Sequence, residues 1–267
     1  MHLIIIIINN YKYKELSKMN EIAQHTVLIS GGAGSMGQLV TDYINSRDDF
    51  TMSAIHDPNY EGQEYKTYKT LTNIDEDIVI EFSPASVINE NIELLLNSNA
   101  NLIIGSSGVS SEMISKLKSK TDRKIIVIPN FSIGSAYQKL FSTTLSENFH
   151  SVNITEKHHS KKQDAPSGTA IDLANTLSSE INSHEKGGDF YQINNVNKKN
   201  IYSLRDDKFL AEQEVDFVNE YESFNLDHKV HDRKAYLYGI KVILDVYNDL
   251  EGFNLGLENI IAKKINI

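Results

Sequence analysis

The chain has no cysteine among its 267 residues. This absence removes disulfides, zinc–thiolate sites and thiol catalysis together, and it fits work in a reducing cytoplasm. Long apolar runs are missing as well. The run Leu3–Ile8 spans six residues, against the roughly 18 that a membrane helix needs. Its lysines, Lys12, Lys14 and Lys18, follow it, the reverse of a secretory signal. Residues 1–24 are therefore expected to be a leader outside the fold, disordered or non-native, with Met19 as an alternative start. Positive charge is scarce too: 26 Lys and Arg stand against 36 Asp and Glu, a formal net charge of -10. Nucleic acid demands a contiguous basic surface, so the expected partners are small molecules, with neither nucleic acid nor membrane.

From residue 25 the chain alternates strand and helix patterns. Thr26–Ser30 reads as a strand, residues 38–46 as a helix, and Phe50–His56 as a second strand. Short apolar strands follow at 78–82, 102–104 and 125–128, separated by helical spacing near 87–96 and 113–117. Such alternation predicts a parallel sheet covered on both faces, an α/β Rossmann-like dinucleotide-binding domain over 25–131. After Asn130 apolar and polar residues alternate at 152–156, 214–217 and 223–226. That period predicts an α+β second domain over 132–234, with a mixed, largely antiparallel open sheet. The polar stretch 184–200 reads as a long loop, and 235–267 as a helical return onto the first domain.

Gly31, Gly32, Ala33, Gly34, Ser35, Met36 and Gly37 lie between a strand and a helix. Glycine permits a tight turn and close approach of backbone to a diphosphate, while the helix start offers free N–H groups. Asp57 follows Gly37 by twenty positions at the end of the second strand, where a carboxylate can hold an adenosine ribose. Pro58, not arginine, comes next, so NADH is favoured over NADPH, although lysines further along the chain can reverse this. Gly105, Ser106 and Ser107, and Pro129 to Ser132, follow later strand ends and are placed to line the nicotinamide half of such a cleft.

Basic residues are concentrated in one place, His158-His159-Ser160-Lys161-Lys162-Gln163-Asp164. Histidine exchanges protons near neutrality, and lysine either fixes a carboxylate or delivers a proton. Pro166-Ser167-Gly168-Thr169 then opens a helical pattern, so the N–H groups of Gly168 and Thr169 are suited to a carboxylate. A metal is disfavoured, because adjacent strand residues face opposite ways and two ammonium groups repel a cation. A plain solvated loop is the competing reading. His228, beside Lys229 and Arg233, stands out among the remaining histidines.

Residues Glu156 to Ala170 resemble the Glu-x-His-His-x-x-Lys-x-Asp-Ala-Pro-Ser-Gly-Thr-Ala signature of the dihydrodipicolinate reductase family. Gly31–Gly37, Ile104–Gly108, Asn130–Gly134 and Ser203-Leu204-Arg205 resemble further blocks in the same order, together covering Thr26 to Leu244. The resemblance implies reduction of 4-hydroxy-tetrahydrodipicolinate with loss of water, in lysine and diaminopimelate biosynthesis, by a homotetramer using NADH or NADPH. It implies that His158 donates or accepts a proton and that Lys162 donates one. His159, Gly168 and Thr169 would bind substrate. Gly31 to Met36, Asp57, Gly105 to Ser107, and Ile128, Pro129, Asn130 and Phe131 would hold the cofactor. The chain departs from the family at Arg205-Asp206-Asp207, where Arg-Gly-Gly is usual, and at Ala211-Glu212-Gln213, where Gly-Glu-His is usual. A two-domain reductase of another small dicarboxylate, and a non-catalytic dinucleotide-binding regulator, are the alternative readings.

Overall fold

The computed structural model describes residues 24–265 apart from 107 and 121. Ser107, Met19 and all of the expected leader but Gln24 lie outside the described residues. The chain divides after Lys116 into two compact units.

In the first unit five parallel strands stand in the order β5-β4-β1-β2-β3. They are β1 (His25–Ser30), β2 (Phe50–His56), β3 (Lys66–Tyr68), β4 (Ile78–Glu81) and β5 (Asn101–Ile104). Helices α1 (Ser35–Asn45) and α2 (Ile88–Leu95) belong with them, and α3 (Ser111–Lys118) runs across the division. The central strands are apolar without alternation, and Val27, Leu28, Ile29, Ile78, Val79 and Ile80 have no exposed surface, as expected where both sheet faces are covered. The chain steps from β1 out to β2 and β3, then crosses to β4 and β5 on the other side. The order therefore reverses at β1, and the glycine turn sits at that strand's carboxyl end, the place where such sheets bind ligands. Strand β3 escapes sequence reading because it is a three-residue, largely exposed edge.

In the second unit β6 (Ile125–Val127) pairs in parallel with β12 (Phe253–Leu255). A separate five-stranded sheet has the order β11-β10-β7-β9-β8. Its strands are β7 (Ser151–His158), β8 (Gln192–Val196), β9 (Lys199–Arg205), β10 (Ala211–Val218) and β11 (Ser223–Val230). Only β7 and β9 run parallel; the other pairs are antiparallel, which is the mixed, largely antiparallel sheet expected. The helices are α4 (Ile133–Leu145), α5 (Gly168–Thr176), α6 (Leu237–Asp245) and α7 (Leu257–Ile265). The expected loop at 184–200 is corrected in part. Residues 192–205 form a hairpin whose turn residues Asn197 and Lys198 both have positive φ, 51° and 67°, the backbone of a tight primed turn. Helix α4 was also missed, because Ser135, Gln138 and Ser142 are among the residues it buries and they weaken the apolar stripe.

One face of this sheet carries both core and site. Side chains two apart share a face, so Val152 and Ile154 on β7 join Ile201, Val215 and Phe217 beneath Ala170, Leu173 and Ala174 of α5. Each large apolar side chain in that cluster contributes about 1.5–3 kcal/mol of burial. Further along, the same rows turn polar: Glu156 and His158 on β7, Ser203 and Arg205 on β9, Gln213 on β10 and His228 on β11. The apolar end anchors the sheet, and the polar end builds a pocket.

Candidate active site

In the first unit Gly31 has φ +80°, and a Cβ there would lie 2.8 Å from the backbone carbon of Phe82. A Cβ on Gly37 would lie 2.3 Å from Gly31 O and 2.6 Å from Gly32 Cα, so α1 touches the turn through bare backbone. Gly34 is the N-cap of α1 and supplies no side-chain cap. The first-turn N–H groups are thus available to an anion at the positive end of the helix. Asp57 reaches back to this turn, its Oδ2 accepting from Ala33 N at 3.0 Å and its Oδ1 from Asn59 N at 2.8 Å. These features fit a dinucleotide: a cradle that a Cβ would fill, an uncapped helix start, and a carboxylate at the next strand end.

Beside it, Ser30 Oγ lies 3.0 Å from His56 Nδ1 and 3.1 Å from Ser83 Oγ. Burial pushes the His56 imidazole below its ordinary pKa, although the Glu81 and Asp57 carboxylates pull the other way. Gly105 N and Ser106 Oγ both donate to Glu81 O, at 2.9 and 3.1 Å. The Ser106 hydroxyl therefore holds the turn itself.

In the second unit, Asn130, Ser132, His158, Ser167, Thr169 and His228 are among the residues lining a pocket of about 430 Å³, part of it open to solvent. Ser167 caps α5, its Oγ accepting from Ala170 N at 3.3 Å. That leaves the Gly168 and Thr169 N–H groups without an intrahelical acceptor. Asn130 Nδ2 lies 3.5 Å from Thr169 Oγ1 and 3.2 Å from Ser135 Oγ, so this residue, expected to touch cofactor, stands in the wall of the pocket. Ile128 is buried, Pro129 exposed, and Phe131 4% exposed.

His158 Nδ1 bonds to Glu156 Oε2. Glu156 is wholly buried, and its Oε1 accepts from Arg205 Nη2 at 2.9 Å. Burial, the largest influence, pushes the Glu156 carboxyl up, but the bonds from His158 and Arg205 outweigh it and hold the group below its ordinary pKa. Lys162 Nζ is 2.6 Å from Asp164 Oδ2 and 2.8 Å from Oδ1, and this ammonium holds the Asp164 carboxyl below its usual range. The pocket thus unites His158 and Thr169, whereas Lys162, His159 and Gly168 are not among its lining residues.

His228 Nε2 lies 3.0 Å from Ser132 Oγ, and burial lowers its pKa against the opposing pull of Asp227. Gln213, a pocket-lining residue at the position of the family's usual histidine, exchanges hydrogen bonds with Gln138: its Nε2 donates to Gln138 Oε1 at 3.0 Å, and Gln138 Nε2 donates to Gln213 O at 2.7 Å. Asp206 N donates to His158 O at 3.1 Å, so the departure after Arg205 still closes the strand end. Sequence reasoning missed Ser135 and Gln213 as pocket residues, and it expected Ser132 beside the nicotinamide. It also missed the bond between Glu156 and His158, for which their i, i+2 spacing was a visible signal, and the contact between Glu156 and Arg205, for which there was none.

Two family models match successive parts of the chain: dihydrodipicolinate reductase, N-terminus, over residues 25–131, and dihydrodipicolinate reductase, C-terminus, over 133–260. A 4-hydroxy-tetrahydrodipicolinate reductase of Coxiella burnetii is 31% identical over 241 residues, covering 88% of this chain and 98% of the relative. The chain belongs to the dihydrodipicolinate reductase family. Another relative of that name, from Lactobacillus acidophilus, is 29% identical over 88% of this chain and 98% of its own length. Among solved structures, a dipicolinate-bound dihydrodipicolinate reductase from Paenisporosarcina sp. TG-14 has the same fold, with TM-score 0.74 and 24% identity, covering 88% of this chain and 99% of that one. Membership of this reductase family implies use of NAD(P)H, in keeping with the glycine turn and Asp57.

Proposed function

We propose that the chain reduces 4-hydroxy-tetrahydrodipicolinate to tetrahydrodipicolinate with loss of water, in lysine and diaminopimelate biosynthesis. The observation that carries this reading is the joining, in one pocket, of a carboxylate-braced histidine and the open start of α5. Gly31 to Met36 and Asp57 would hold the dinucleotide, with Gly105, Ser106 and residues 128–131 as its further contacts. A bound reduced nicotinamide supplies the hydride. The protein then has three tasks.

First, the N–H groups of Gly168 and Thr169, at the positive end of α5, take a substrate carboxylate, assisted by His159. Second, His158 presents Nε2 to the pocket and exchanges a proton there. Third, Lys162 releases Asp164 and supplies the proton to the carbon beside the reduced centre, a role suited to an ammonium on a long side chain. Orientation of both reactants and exclusion of water do the remainder. Asp57 favours NADH, because a 2'-phosphate would face its carboxylate and Pro58 offers no guanidinium. Assembly as a homotetramer belongs to the same proposal, supported by the family resemblance, and sedimentation of the purified chain tests it.

Initial rates with NADH and NADPH on synthase-generated substrate test the reaction and the cofactor together. The expected result is turnover with a higher kcat/KM for NADH. Lys162→Ala should lower kcat by about 10²-fold or more while NADH binding survives. No turnover by the unaltered chain with either cofactor would overturn the reading, and near-normal activity in Lys162→Ala would remove that residue from it.

A further inference from the structure

The geometry assigns Glu156 and Arg205 as a positioning pair that fixes the tautomer of His158 and ties it to the loop carrying Lys162. The inference rests on the proposed role of His158 in proton exchange. Glu156 has no exposed surface and the Arg205 side chain is 4% exposed, so neither is an adventitious surface charge. A buried ion pair is weak evidence of stability, since desolvation offsets most of its attraction. Its placement is more informative.

Glu156 and His158 share a face of β7, and the parallel register with β9 sets Arg205 beside His158. An ionised carboxylate only accepts hydrogen bonds, so the bond between Glu156 Oε2 and His158 Nδ1 requires the hydrogen on Nδ1. Nε2 is then the nitrogen free to act in the pocket. When the imidazolium gives up its Nε2 proton, the N–H electron pair stays on the ring, Nδ1 keeps its hydrogen and Glu156 stays ionised.

Arg205 holds more than the carboxylate. Its Nη2 also donates to Asp164 O at 2.6 Å, its Nε to Lys162 O at 3.3 Å, and its Nη1 to Leu204 O at 2.7 Å. One guanidinium therefore grips the carboxylate behind His158 and the backbone on either side of Gln163. A lysine, with a single point of charge, cannot reproduce that fork. The other titratable groups near His158 are Glu212, His228 and Tyr236 in the pocket lining and Lys157 on the same strand, while Lys162 and Asp164 pair with each other on the loop that Arg205 holds.

The test uses the full chain labelled with ¹⁵N at histidine, with the His158 signals identified by their loss in His158→Gln. In the unaltered protein the neutral ring should show a protonated Nδ1 and a bare Nε2. In Glu156→Gln the amide can donate to Nδ1, so the ring should populate the other tautomer. The His158 limb of the pH–rate profile should move to lower pH, and kcat should fall roughly 10²-fold with KM and NADH binding within about twofold. Arg205→Lys should keep the tautomer but lower kcat by about tenfold or more, through the loosened loop. If folded Glu156→Gln keeps both the tautomer and the pH limb, the inference is overturned. Should that variant fail to fold, Glu156→Asp decides, since the shortened reach should weaken the Nδ1 bond, and an unchanged tautomer and pH limb would overturn it equally. Full activity in His158→Gln would instead refute the proposed role of His158, a separate outcome from any result at Glu156.

Discussion

Replacing Gly168 with alanine separates what the fold needs from what a ligand needs. Gly168 is the first residue of α5, it lies outside the left-handed backbone region, and nothing stands within 4 Å of the position its Cβ would take. Ser167 already caps the helix through Ala170 N. Folding therefore makes no demand for glycine here. Alanine should stabilise the protein by about 0.4–1 kcal/mol through the unfolded chain, which is about 1–4 °C in Tm for a protein of this size. Substrate should respond in the opposite sense. The new methyl occupies open space beside the N–H groups proposed to hold a carboxylate, and loss of one charge-assisted hydrogen bond is worth about 1.5–3 kcal/mol. That corresponds to a fall in kcat/KM of about 10- to 150-fold. The assay is thermal melting, NADH binding by fluorescence, and steady-state kinetics on the same preparation. A raised Tm with kcat/KM within twofold of the unaltered chain would refute the carboxylate role of the α5 start. A lowered Tm would refute the packing argument instead.

Two further perturbations test other parts of the structure. In Gly37→Ala the methyl meets backbone atoms of Gly31 and Gly32, neither of which can swing aside; destabilisation of about 1–3 kcal/mol should accompany a large loss of NADH affinity, and unchanged binding with unchanged Tm would contradict the close contact. His228 has a folded-state pKa below its ordinary value, so above both pKa values its ionisation has no effect on stability. As pH falls through the unfolded-state value, about 6.5, the unfolded chain takes up the proton first and the fold loses stability until the folded-state pKa is passed. His228→Gln should therefore lose less stability than the unaltered protein over that window, as followed by denaturant melts at stepped pH; parallel curves would show that the histidine titrates alike in both states.

The parallel strands around Ile29 and Ile80 were legible because burial on both faces demands continuous apolar residues, and the turn at Gly31 because its backbone needs are local. The start of α5 was legible for the same reason. Helix α4 was not, since it buries polar Ser135, Gln138 and Ser142, and the partner of Gln138 is Gln213, far away in sequence. The hairpin of β8 and β9 hid in a polar stretch because Asn197 and Lys198, rather than glycine, take the positive φ values of its turn.

The amino-acid sequence by itself determined the alternating strands and helices of the first domain, the glycine turn and the identity of the histidine and lysine run, since each depends on residues within a few positions of one another. Only the tertiary structure decided which of those groups act together. The parallel register of β7 and β9 brings Arg205 to Glu156 across 49 positions of chain, and the guanidinium then grips the loop at residues 162 and 164. A long-range ion pair of that kind follows from strand pairing, and no local pattern in the chain encodes it.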